Sequence, residues 1–328
     1  MLINKQFYSD IYFKEEYCNL YLKEGDELLI FLFEEGDSFL KNIMIKRSID
    51  RVGNVMIEEE IYDAETAYGY GGPQTNITDI NILNKAKEAY FEFCKEQNII
   101  AEFFRMHPFV NYEKFRDHFY DFSSLSGNVV YIDTNLTKEE RWASYPAKTR
   151  NILRRCYEKL EVRKTDNIDA FLKMYSATMK KNDATDFYFF QRPYFEKILS
   201  IDNIDLYEVV LDNQVISMGI FMHSDEIMHY HLSANDYTYS KYNGNYILLD
   251  YIADISREKG CKYFMLGGGR TGNEDDNLLK FKKKFSNKTL PFYIGGIVHD
   301  QEKFDFLNET WNQQYPDKEA KYFQKYRL

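Results

Sequence analysis

The sequence contains no long hydrophobic run. Its longest apolar stretch is "LLIFLF" at residues 28–33, far short of the roughly 20 residues that a membrane-spanning helix needs. The opening stretch, "MLINKQFYSDIYFKEE", has neither a compact hydrophobic segment nor a small-residue cleavage site, which argues against a secretory signal peptide. We therefore expect no integral membrane segment and a cytoplasmic protein.

Cysteine is scarce, and its spacing is not that of the usual cysteine-based sites. No two cysteines form a C-x-x-C pair, so neither a disulfide framework nor a zinc knuckle is indicated. The four are Cys18, Cys94, Cys156 and Cys261. His229 and His231 alternate along one predicted strand without a third ligand at a suggestive spacing, so no metal site is predicted.

Basic residues are outnumbered, and two further patterns are missing. The chain carries 42 Lys and Arg against 52 Asp and Glu, a net charge of −10. Nucleic-acid-binding proteins usually carry a basic excess, so no DNA partner is expected, although a local basic patch can still bind phosphates. No Pro/Gly/Ser-rich linker divides the chain. No Ser/His/Asp or Cys/His signature of a covalent nucleophile is found, which favours direct attack of an acceptor on a donor.

The order of predicted elements in the first half recurs in the second. First come two strands, "ELLIFLF" and "KNIMIKRSI", joined around Gly36 and Asp37, then "YGYGGP" (68–73), a helix capped by Thr78 or Asp79, and the strand "IIAEFFRMHP". Later, a three-stranded antiparallel meander over 205–234 precedes the loop "NDYTYSKYNGN", the helix "YILLDYIADISREKG" and the strand "CKYFMLGGG". The offset of roughly 160 to 170 residues is typical of a duplicated domain.

Meander, loop, helix and strand are the plan of the GNAT acyltransferase fold. The predicted class is therefore α/β (α+β), with two tandem GNAT-like domains, each a mixed, largely antiparallel sheet flanked by helices. The predicted division gives a first domain at 1–135 and a second at 136–328, with a basic connecting helix at 137–161.

Six segments occur in the order found in the Fem family of tandem-GNAT proteins. They are "YGYGGP", "FFRMHP", "KTRNILRRC", "YHLSA", "FMLGGG" and "LLKFKKKFS". The chain resembles that family over roughly residues 60 to 300, and the ordered set is more specific than any one piece. It resembles the short members, because the long coiled-coil insertion of some members is absent.

The resemblance implies acyl transfer to an amine of a cell-wall precursor, that is, a role in peptidoglycan biosynthesis. The family includes transferases that use aminoacyl-tRNA, and related chains described as acetyltransferases. Three readings stay open: aminoacyl transfer from tRNA, acyl-CoA-dependent N-acylation of an amino sugar or other small amine, and a binding protein whose catalytic sites have decayed. The expected partners are a nucleotide-linked or lipid-linked envelope precursor and tRNA, with no tightly bound cofactor.

The glycine segment at 68–73 has two interpretations. Gly69, Gly71 and Gly72 can serve only to build a turn with positive φ angles. Alternatively, Gly71 and Gly72 let backbone N–H groups approach a ligand near a helix N-terminus, while Tyr68 and Tyr70 line the groove. The resemblance favours the second interpretation.

The strand end "FRMHP" offers two candidates. Members of the Fem family usually carry an acidic residue before this proline, and it has been proposed to take the proton from the attacking amine. His107 stands in that place and is the candidate general base, although a purely structural histidine is equally compatible with the sequence. Arg105 alternates with His107 and is expected on the same face, where it would bind an anionic group.

Seven basic residues against two acidic ones are concentrated at 148–164. They are Lys148, Arg150, Arg154, Arg155, Lys159, Arg163 and Lys164. Many such helices are merely solvated, but in an acidic protein this patch suits the phosphates of a nucleotide or tRNA. Arg150 and Arg154, one helical turn apart, are predicted to grip one anion together.

"FKKKF" at 281–285 matches the F-K-x-x-F motif of the Fem family. The resemblance implies that Lys282 steadies the anionic tetrahedral intermediate or the donor's terminal ribose and phosphate, with Phe281 packed beside the donor. Surface lysines on an amphipathic helix are the alternative. In the same half, Arg270 after "LGGG" is a candidate anion ligand, and Tyr230 of "YHLSA" is expected to line the cleft.

The donor loop departs from the GNAT pattern Q/R-x-x-G-x-G/A. In "KYNGNY", Lys241 and Gly244 fit, but Tyr246 occupies a position that calls for a small residue. A bulky side chain would hinder the backbone's approach to a pyrophosphate. This departure disfavours acetyl-CoA and favours aminoacyl-tRNA.

Overall fold

The computed structural model describes residues 9–110, 118–182 and 189–328. Its contacts divide the chain into two compact units. The first unit contains Tyr12–Ser126 and Phe292–Leu328, and the second contains Ser9–Ile11 and Gly127–Pro291. The grouping differs from the division predicted at 135/136, since residues 292–328 pack with the N-terminal unit. No helix among the described residues is long and apolar enough to cross a membrane.

Fourteen strands are named in the described part of the chain. They are β1 (Glu27–Glu35), β2 (Ser38–Ser48), β3 (Arg51–Val52), β4 (Val55–Met56), β5 (Tyr62–Glu65), β6 (Gln74–Thr75), β7 (Ile99–Arg105), β8 (Phe122–Asp133), β9 (Glu161–Thr165), β10 (Ile204–Leu211), β11 (Gln214–His223), β12 (Ile227–Asn235), β13 (Tyr263–Gly267) and β14 (Thr289–Val298).

The α-helices lie between and beside these strands. They are α1 (Glu15–Cys18), α2 (Ile80–Glu96), α3 (Lys138–Ser144), α4 (Ala147–Lys159), α5 (Ile168–Lys181), α6 (Arg192–Leu199), α7 (Gly244–Glu258), α8 (Asn277–Lys282) and α9 (Gln301–Gln314).

The first unit is built on a mixed sheet in the order β1-β2-β5-β7-β14. The pairs are antiparallel except β5 with β7, which are parallel. Helix α2 places Leu83, Ala86, Tyr90 and Cys94 in one apolar cluster, as its i, i+3, i+4 spacing predicts. Asp79 caps this helix by accepting from the Asn81 N–H, so the predicted start is confirmed.

The second unit repeats this plan in the order β9-β10-β11-β12-β13-β8. The predicted meander is confirmed as β10, β11 and β12, all antiparallel, and β13 pairs in parallel with β12. Asp212 and Asn213 both have positive φ angles at the β10–β11 turn, as a tight hairpin requires. Helix α7 covers this sheet with Leu248, Leu249 and Ile252 in its core.

An exchange of strands explains why the C-terminal residues join the first unit. Strand β14, late in the chain, pairs with β7 from Ile294 to Val298. Strand β8, in mid-chain, pairs with β13. Each sheet therefore acquires its last antiparallel strand from a distant part of the sequence. Both units have the predicted mixed, largely antiparallel character, so the predicted fold class is confirmed.

Candidate active site

Lys282 is the last residue of α8 and is only 7% exposed. Asp276 begins this helix by accepting from the N–H groups of Leu278 and Leu279. The Lys282 Nζ donates to the Gly268 carbonyl at 2.7 Å and lies 5.9 Å from the centre of the Tyr230 ring. Two residues predicted separately, Lys282 and Tyr230, are thus brought together in the second unit.

The electrostatic setting of Lys282 is unusual for a lysine. Burial lowers the pKa of its ammonium group to about 7, against a small opposing effect of the Asp276 carboxylate. Desolvation also raises the pKa of Tyr230 to about 12, so this phenol stays protonated; it donates to the Ser233 Oγ at 2.5 Å. A lysine near neutrality can serve either as a cation or as a proton acceptor at physiological pH.

The neighbouring lysines have ordinary surface partners. Lys280 pairs with Asp275, Lys283 with Glu274, and Lys288 with Asp133. Lys284 donates to the Tyr246 hydroxyl at 2.9 Å. Burial therefore distinguishes Lys282 from the other lysines of this segment.

Aromatic rings connect α8 with α7. The partly buried Phe281 packs edge-on against Tyr246 at 5.2 Å, and Phe285 packs against both. The Tyr145 ring contacts Phe285 at 5.8 Å. The large side chain of Tyr246 thus packs on the helix that carries Lys282.

The glycine loop before α8 lies against the side chain of Asp276. Gly269 permits close approach, but the approaching group is the Asp276 carboxylate, which would lie 2.6 Å from an added Cβ. This carboxylate accepts from the N–H groups of Arg270 and Thr271 at 3.0 and 3.2 Å. These backbone donors are therefore already occupied by an internal anion, whereas the Arg270 side chain is exposed.

The predicted donor loop leads into α7. Asn243 precedes the helix in a left-handed conformation and makes no side-chain cap, and Gly244 is the first helical residue. A Cβ at Gly244 would come within 2.8 Å of the Ser217 Cβ, so glycine is needed here for packing. Lys241 is exposed, with its Nζ 5.2 Å from the Tyr242 ring centre.

The basic stretch at 148–164 is divided between two elements. Helix α4 ends at Lys159, while Arg163 and Lys164 lie on β9 and form ion pairs with Glu208 and Asp205 of β10. The prediction of one helix through 161 was wrong at this end, because "EVRKT" is recruited into the sheet as an edge strand.

The pair predicted to grip one anion has local partners. Arg150 donates to the Tyr145 carbonyl, and Arg154 donates to the Asn151 side chain at 2.7 Å. Arg154 and Arg155 remain exposed on α4. The arginines of this segment that form no ion pair with a described residue therefore lie on the helix.

In the first unit, the glycine segment forms a turn that pairs with the end of β7. Gly69 and Gly72 have φ angles of +99° and +94°, which favour glycine. The Gly71 N–H donates to the Arg105 carbonyl at 2.7 Å, and its carbonyl accepts from the His107 N–H at 3.0 Å. Helix α2 begins only at Ile80, after β6. These contacts correspond to the turn interpretation.

Aromatic rings surround the candidate base, His107. Its side chain is fully buried, and its Nδ1 accepts from the Phe109 N–H at 3.3 Å. The rings of Phe13 and Tyr70 lie 5.4 and 5.8 Å from the imidazole. Tyr68 lies farther along the same turn, where its carbonyl accepts from the Tyr17 hydroxyl. These contacts are compatible with the structural alternative and do not test the predicted role as a general base.

The alternation of Arg105 with His107 predicted a side chain available to bind an anionic ligand. In the structure, the Arg105 guanidinium already has partners within the chain. Its guanidinium donates to Glu65 Oε2 at 3.2 Å and to the Thr66 carbonyl, and it lies over the Phe103 ring. Arg47 shares the same Glu65 carboxylate. The side chain is therefore part of an ion-pair network, because the pairing of β5 with β7 places an acidic residue beside it.

Sequence reasoning missed a buried carboxylate on α7. Asp250 accepts from Trp142 Nε1 at 3.0 Å, from the Tyr145 hydroxyl at 3.0 Å and from the Tyr157 hydroxyl at 2.9 Å. Arg141 adds an ion pair at 3.3 Å. Trp142, Tyr145 and Tyr157 all lie in the stretch 137–161, which was predicted only as a basic connecting helix, so no motif revealed their common partner.

The first unit also contains a groove of about 650 Å³. Phe103 and Phe122 line it together with Tyr322, Phe323 and the amide and acid side chains of α9. No predicted site residue lines this groove. We give more weight to Lys282, since a catalytic assignment needs a perturbed reactive group as well as space.

Comparisons with known proteins agree with this fold. Residues 147–283 match the family described as Acetyltransferase (GNAT) domain, a span that includes α4, the start of α7 and Lys282. No curated protein matches the chain. The family match confirms the predicted enzyme class, an acyltransferase of the GNAT superfamily.

Solved structures share the fold over most of the chain. FemX is 11% identical with a TM-score of 0.69, covering 89% of this chain and 93% of its own. L-PGS from Bacillus licheniformis is 13% identical with a TM-score of 0.52, covering 84% and 85%. The C-terminal DUF2156 domain of an Agrobacterium fabrum protein is 14% identical with a TM-score of 0.54, covering 87% and 89%. At these identities the likeness concerns the fold.

Proposed function

We propose that this protein is a Fem-like aminoacyltransferase. It would move an aminoacyl group from aminoacyl-tRNA to an amine of a nucleotide-linked or lipid-linked cell-envelope precursor, in the cytoplasm and without a tightly bound cofactor. Lys282 carries the proposal, because it is a buried lysine with a pKa lowered to about 7 inside the part of the chain that matches the acetyltransferase family. The fold likeness to FemX supports the choice of family.

The proposed reaction needs no acyl-enzyme. The neutral acceptor amine attacks the donor's ester carbon, a C–N bond forms, and the carbonyl oxygen becomes an oxyanion. The C–O bond to the ribose then breaks, and the proton lost by the amine balances the proton taken up by the leaving hydroxyl. The Lys282 ammonium would stabilise the oxyanion, and its burial strengthens that attraction relative to water.

Two features favour tRNA as the donor. Tyr246 replaces the small residue of the acyl-CoA loop, and its ring packs against Phe281 and Phe285. Arg154 and Arg155 are exposed on α4, and such residues suit the sequence-independent contacts that a polyphosphate makes.

A second candidate is N-acetylation of an amino sugar or other small amine with acetyl-CoA. It is favoured by the start of α7, where Asn243 provides no side-chain cap. The first N–H groups of a long helix without a capping side chain are suited to bind a pyrophosphate.

The deciding experiment has two arms on the full chain. Calorimetric titration with acetyl-CoA at low and moderate salt tests the second candidate. Transfer of a radiolabelled amino acid from charged tRNA to a UDP-linked muramyl peptide tests the first. Saturable micromolar binding of acetyl-CoA would overturn the tRNA proposal, whereas no heat together with labelled product would support it.

Lys282→Met and Lys280→Met provide the matched controls. Both lysines are on α8, but Lys280 is exposed and paired with Asp275. We expect turnover to be lost in Lys282→Met and kept in Lys280→Met, with both variants folded by circular dichroism. Equal turnover in the two variants would remove the proposed role of Lys282.

A further inference from the structure

Three metal-binding groups meet inside the first unit, away from the residues assigned above. Cys94 lies near the end of α2, Glu102 lies in β7, and His299 directly follows β14. One ligand atom from each lies within 4.8 Å of the other two. Cys94 is fully buried, and the side chains of Glu102 and His299 are 1% and 2% exposed.

The fold positions these groups firmly. The His299 N–H donates to the Ile100 carbonyl at 2.8 Å, which fixes the residue beside β7. The rings of Tyr90 and Phe91 pack edge-on against the imidazole at 5.9 and 4.9 Å. The strand pairing that joins the C-terminal residues to the first unit therefore also completes the cluster.

The imidazole of His299 lacks the partners that a buried histidine normally has. Among the described residues, neither its Nδ1 nor its Nε2 has a hydrogen-bond partner. Nε2 lies 3.5 Å from Glu102 Oε2. Buried ring nitrogens are usually hydrogen-bonded, so this arrangement calls for a ligand.

The buried charge of Glu102 also favours a bound cation. Its carboxylate accepts from the Tyr90 hydroxyl and from Asn42 Nδ2, both neutral donors. Within the described ranges, His299 is the one basic side chain within ion-pair distance of it. A buried carboxylate without a cation is costly.

We propose that Cys94, Glu102 and His299 bind a divalent transition metal of the zinc type. Zinc takes sulfur, nitrogen and oxygen ligands at about 2.0 to 2.3 Å, which places tetrahedral ligand atoms roughly 3.3 to 3.8 Å apart. The Glu102–His299 separation already falls in this range, and the 4.8 Å limit requires side-chain movements of only about 1 Å. Tyr90 and Asn42 orient the carboxylate from outside the metal, as supporting partners do.

Protons and charges are balanced when the ion binds. On binding, the Cys94 thiol releases its proton to solvent and ligates as a thiolate, while the imidazole stays neutral. Thiolate, carboxylate and divalent ion then sum to zero in the core. Because all three ligands are buried in the core, the ion stabilises the first unit and takes no part in acyl transfer.

The competing arrangement is an ion pair between Glu102 and a protonated His299, with Cys94 left as a thiol. The experiment distinguishes the two by direct metal analysis and by the thiolate. The full chain is expressed with added zinc or cobalt, and in a parallel sample refolded with cobalt, since a buried site must be filled before the core closes. We expect about one ion per chain and a near-ultraviolet thiolate-to-cobalt absorption.

Variants locate the ion. Cys94→Ser should lose the thiolate absorption, while Cys18→Ser, which alters another buried cysteine of the same unit, should keep it. Chelation should lower the melting temperature of the wild type and of Cys18→Ser but not of Cys94→Ser. If Cys94→Ser does not fold, loss of the ion in His299→Gln supports the same site.

Three results would overturn the proposal. The first is wild-type protein that contains no stoichiometric metal after both expression and refolding. The second is an unchanged thiolate absorption in Cys94→Ser, and the third is full metal content in His299→Gln.

Discussion

At the scale of single residues, Lys282 combines a cost in stability with a proposed function. Its Nζ is held by one carbonyl, that of Gly268, in a largely dehydrated position. Burying an ammonium group with so little compensation is unfavourable, and this is why its pKa falls. Such groups are typical of active sites, where reactivity is maintained at the expense of stability.

Lys282→Met should therefore make the protein more stable while abolishing turnover. The folded-state pKa of about 7 lies below the ordinary value of 10.5, so between these values the unfolded chain binds more protons and wild-type stability rises with pH. We expect the variant to exceed the wild type by a few kcal/mol below pH 7 and to lose this advantage as pH rises toward 10. Urea unfolding across this range measures it, and Lys280→Met should show no comparable trend.

His107 provides a second test at this scale. Its imidazole is packed among the rings of Phe13 and Tyr70 and accepts one backbone hydrogen bond. We expect His107→Gln to lower the unfolding free energy by about 1–2 kcal/mol and to change turnover by less than about tenfold. A fully stable variant whose turnover falls by a hundredfold or more, with a flattened pH profile, would instead identify His107 as the general base.

At the scale of elements, polar contacts fix the helices that form the candidate site. Asp250 ties α7 to α3 and α4 through Trp142, Tyr145 and Tyr157. Helix α4 carries the exposed arginines, and α7 begins at the predicted donor loop. The orientation of both surfaces therefore depends on one buried carboxylate.

Asp250→Asn should destabilise the second unit by about 3 kcal/mol, because the amide leaves the Arg141 charge without its buried partner. Thermal unfolding measures the loss. Asp254→Asn is the matched control: this residue also pairs with Arg141 but is 26% exposed in its side chain, so a smaller loss is expected. Equal losses in the two variants would show that burial is not what makes Asp250 important.

The start of α8 provides another test at the scale of elements. Asp276 caps this short helix and also accepts from the Arg270 and Thr271 N–H groups. Asp276→Ala should cost about 1–2 kcal/mol and lower kcat, since the helix presents Lys282. Asp276→Asn should restore part of both quantities. Asp275→Ala, at the exposed neighbouring residue, is the control, and its kcat should be unchanged. An equal fall in kcat in Asp275→Ala and Asp276→Ala would contradict the capping argument.

At the scale of the whole molecule, an acidic protein has a cationic helix surface. Arg163 and Lys164 are exposed but form ion pairs with Glu208 and Asp205, whereas the exposed Arg154 and Arg155 of α4 form no ion pair with a described residue. A net charge of −10 disfavours non-specific binding of polyanions. Binding of tRNA would then depend on this helix.

Arg154→Ala and Arg155→Ala should each weaken binding of charged tRNA and reduce its dependence on salt concentration by about one phosphate contact. Filter binding at several salt concentrations measures both effects. Arg163→Ala should leave the salt dependence unchanged because its charge is paired within the sheet. An unchanged salt dependence in both Arg154→Ala and Arg155→Ala would exclude α4 as the phosphate-binding surface.

Elements with a strong local pattern could be predicted from the sequence. Helix α2 has a regular apolar spacing and an Asp79 cap, and the β10–β12 meander has alternation and an Asp-Asn turn. Short strands such as β5 and β9 were missed because they contain only four and five residues. Their extended conformation is set by pairing with distant strands and not by their own composition.

In the candidate site, too, some features could be predicted from local sequence and others depended on distant residues. Lys282 was identified because it lies within a local motif, and the fold agrees by burying it beside Tyr230. Arg105 was expected to be available to a ligand, but a strand absent from the prediction supplies Glu65 as its partner. Alternation along a strand indicates the face on which a side chain lies, but not which side chain stands opposite.

By itself, the sequence determined the helix and strand periodicity, the duplicated order of elements, the ordered Fem-like segments and the place of Lys282 in a local motif. Apart from the duplicated order, these properties are local, because each is set by residues that lie close together in the sequence. Only the tertiary structure decided that β14 joins β7, that Asp250 collects its donors, and that Cys94, Glu102 and His299 meet. The physical reason is that burial and pairing of charged groups depend on residues distant in sequence, which pack together only when the sheets form.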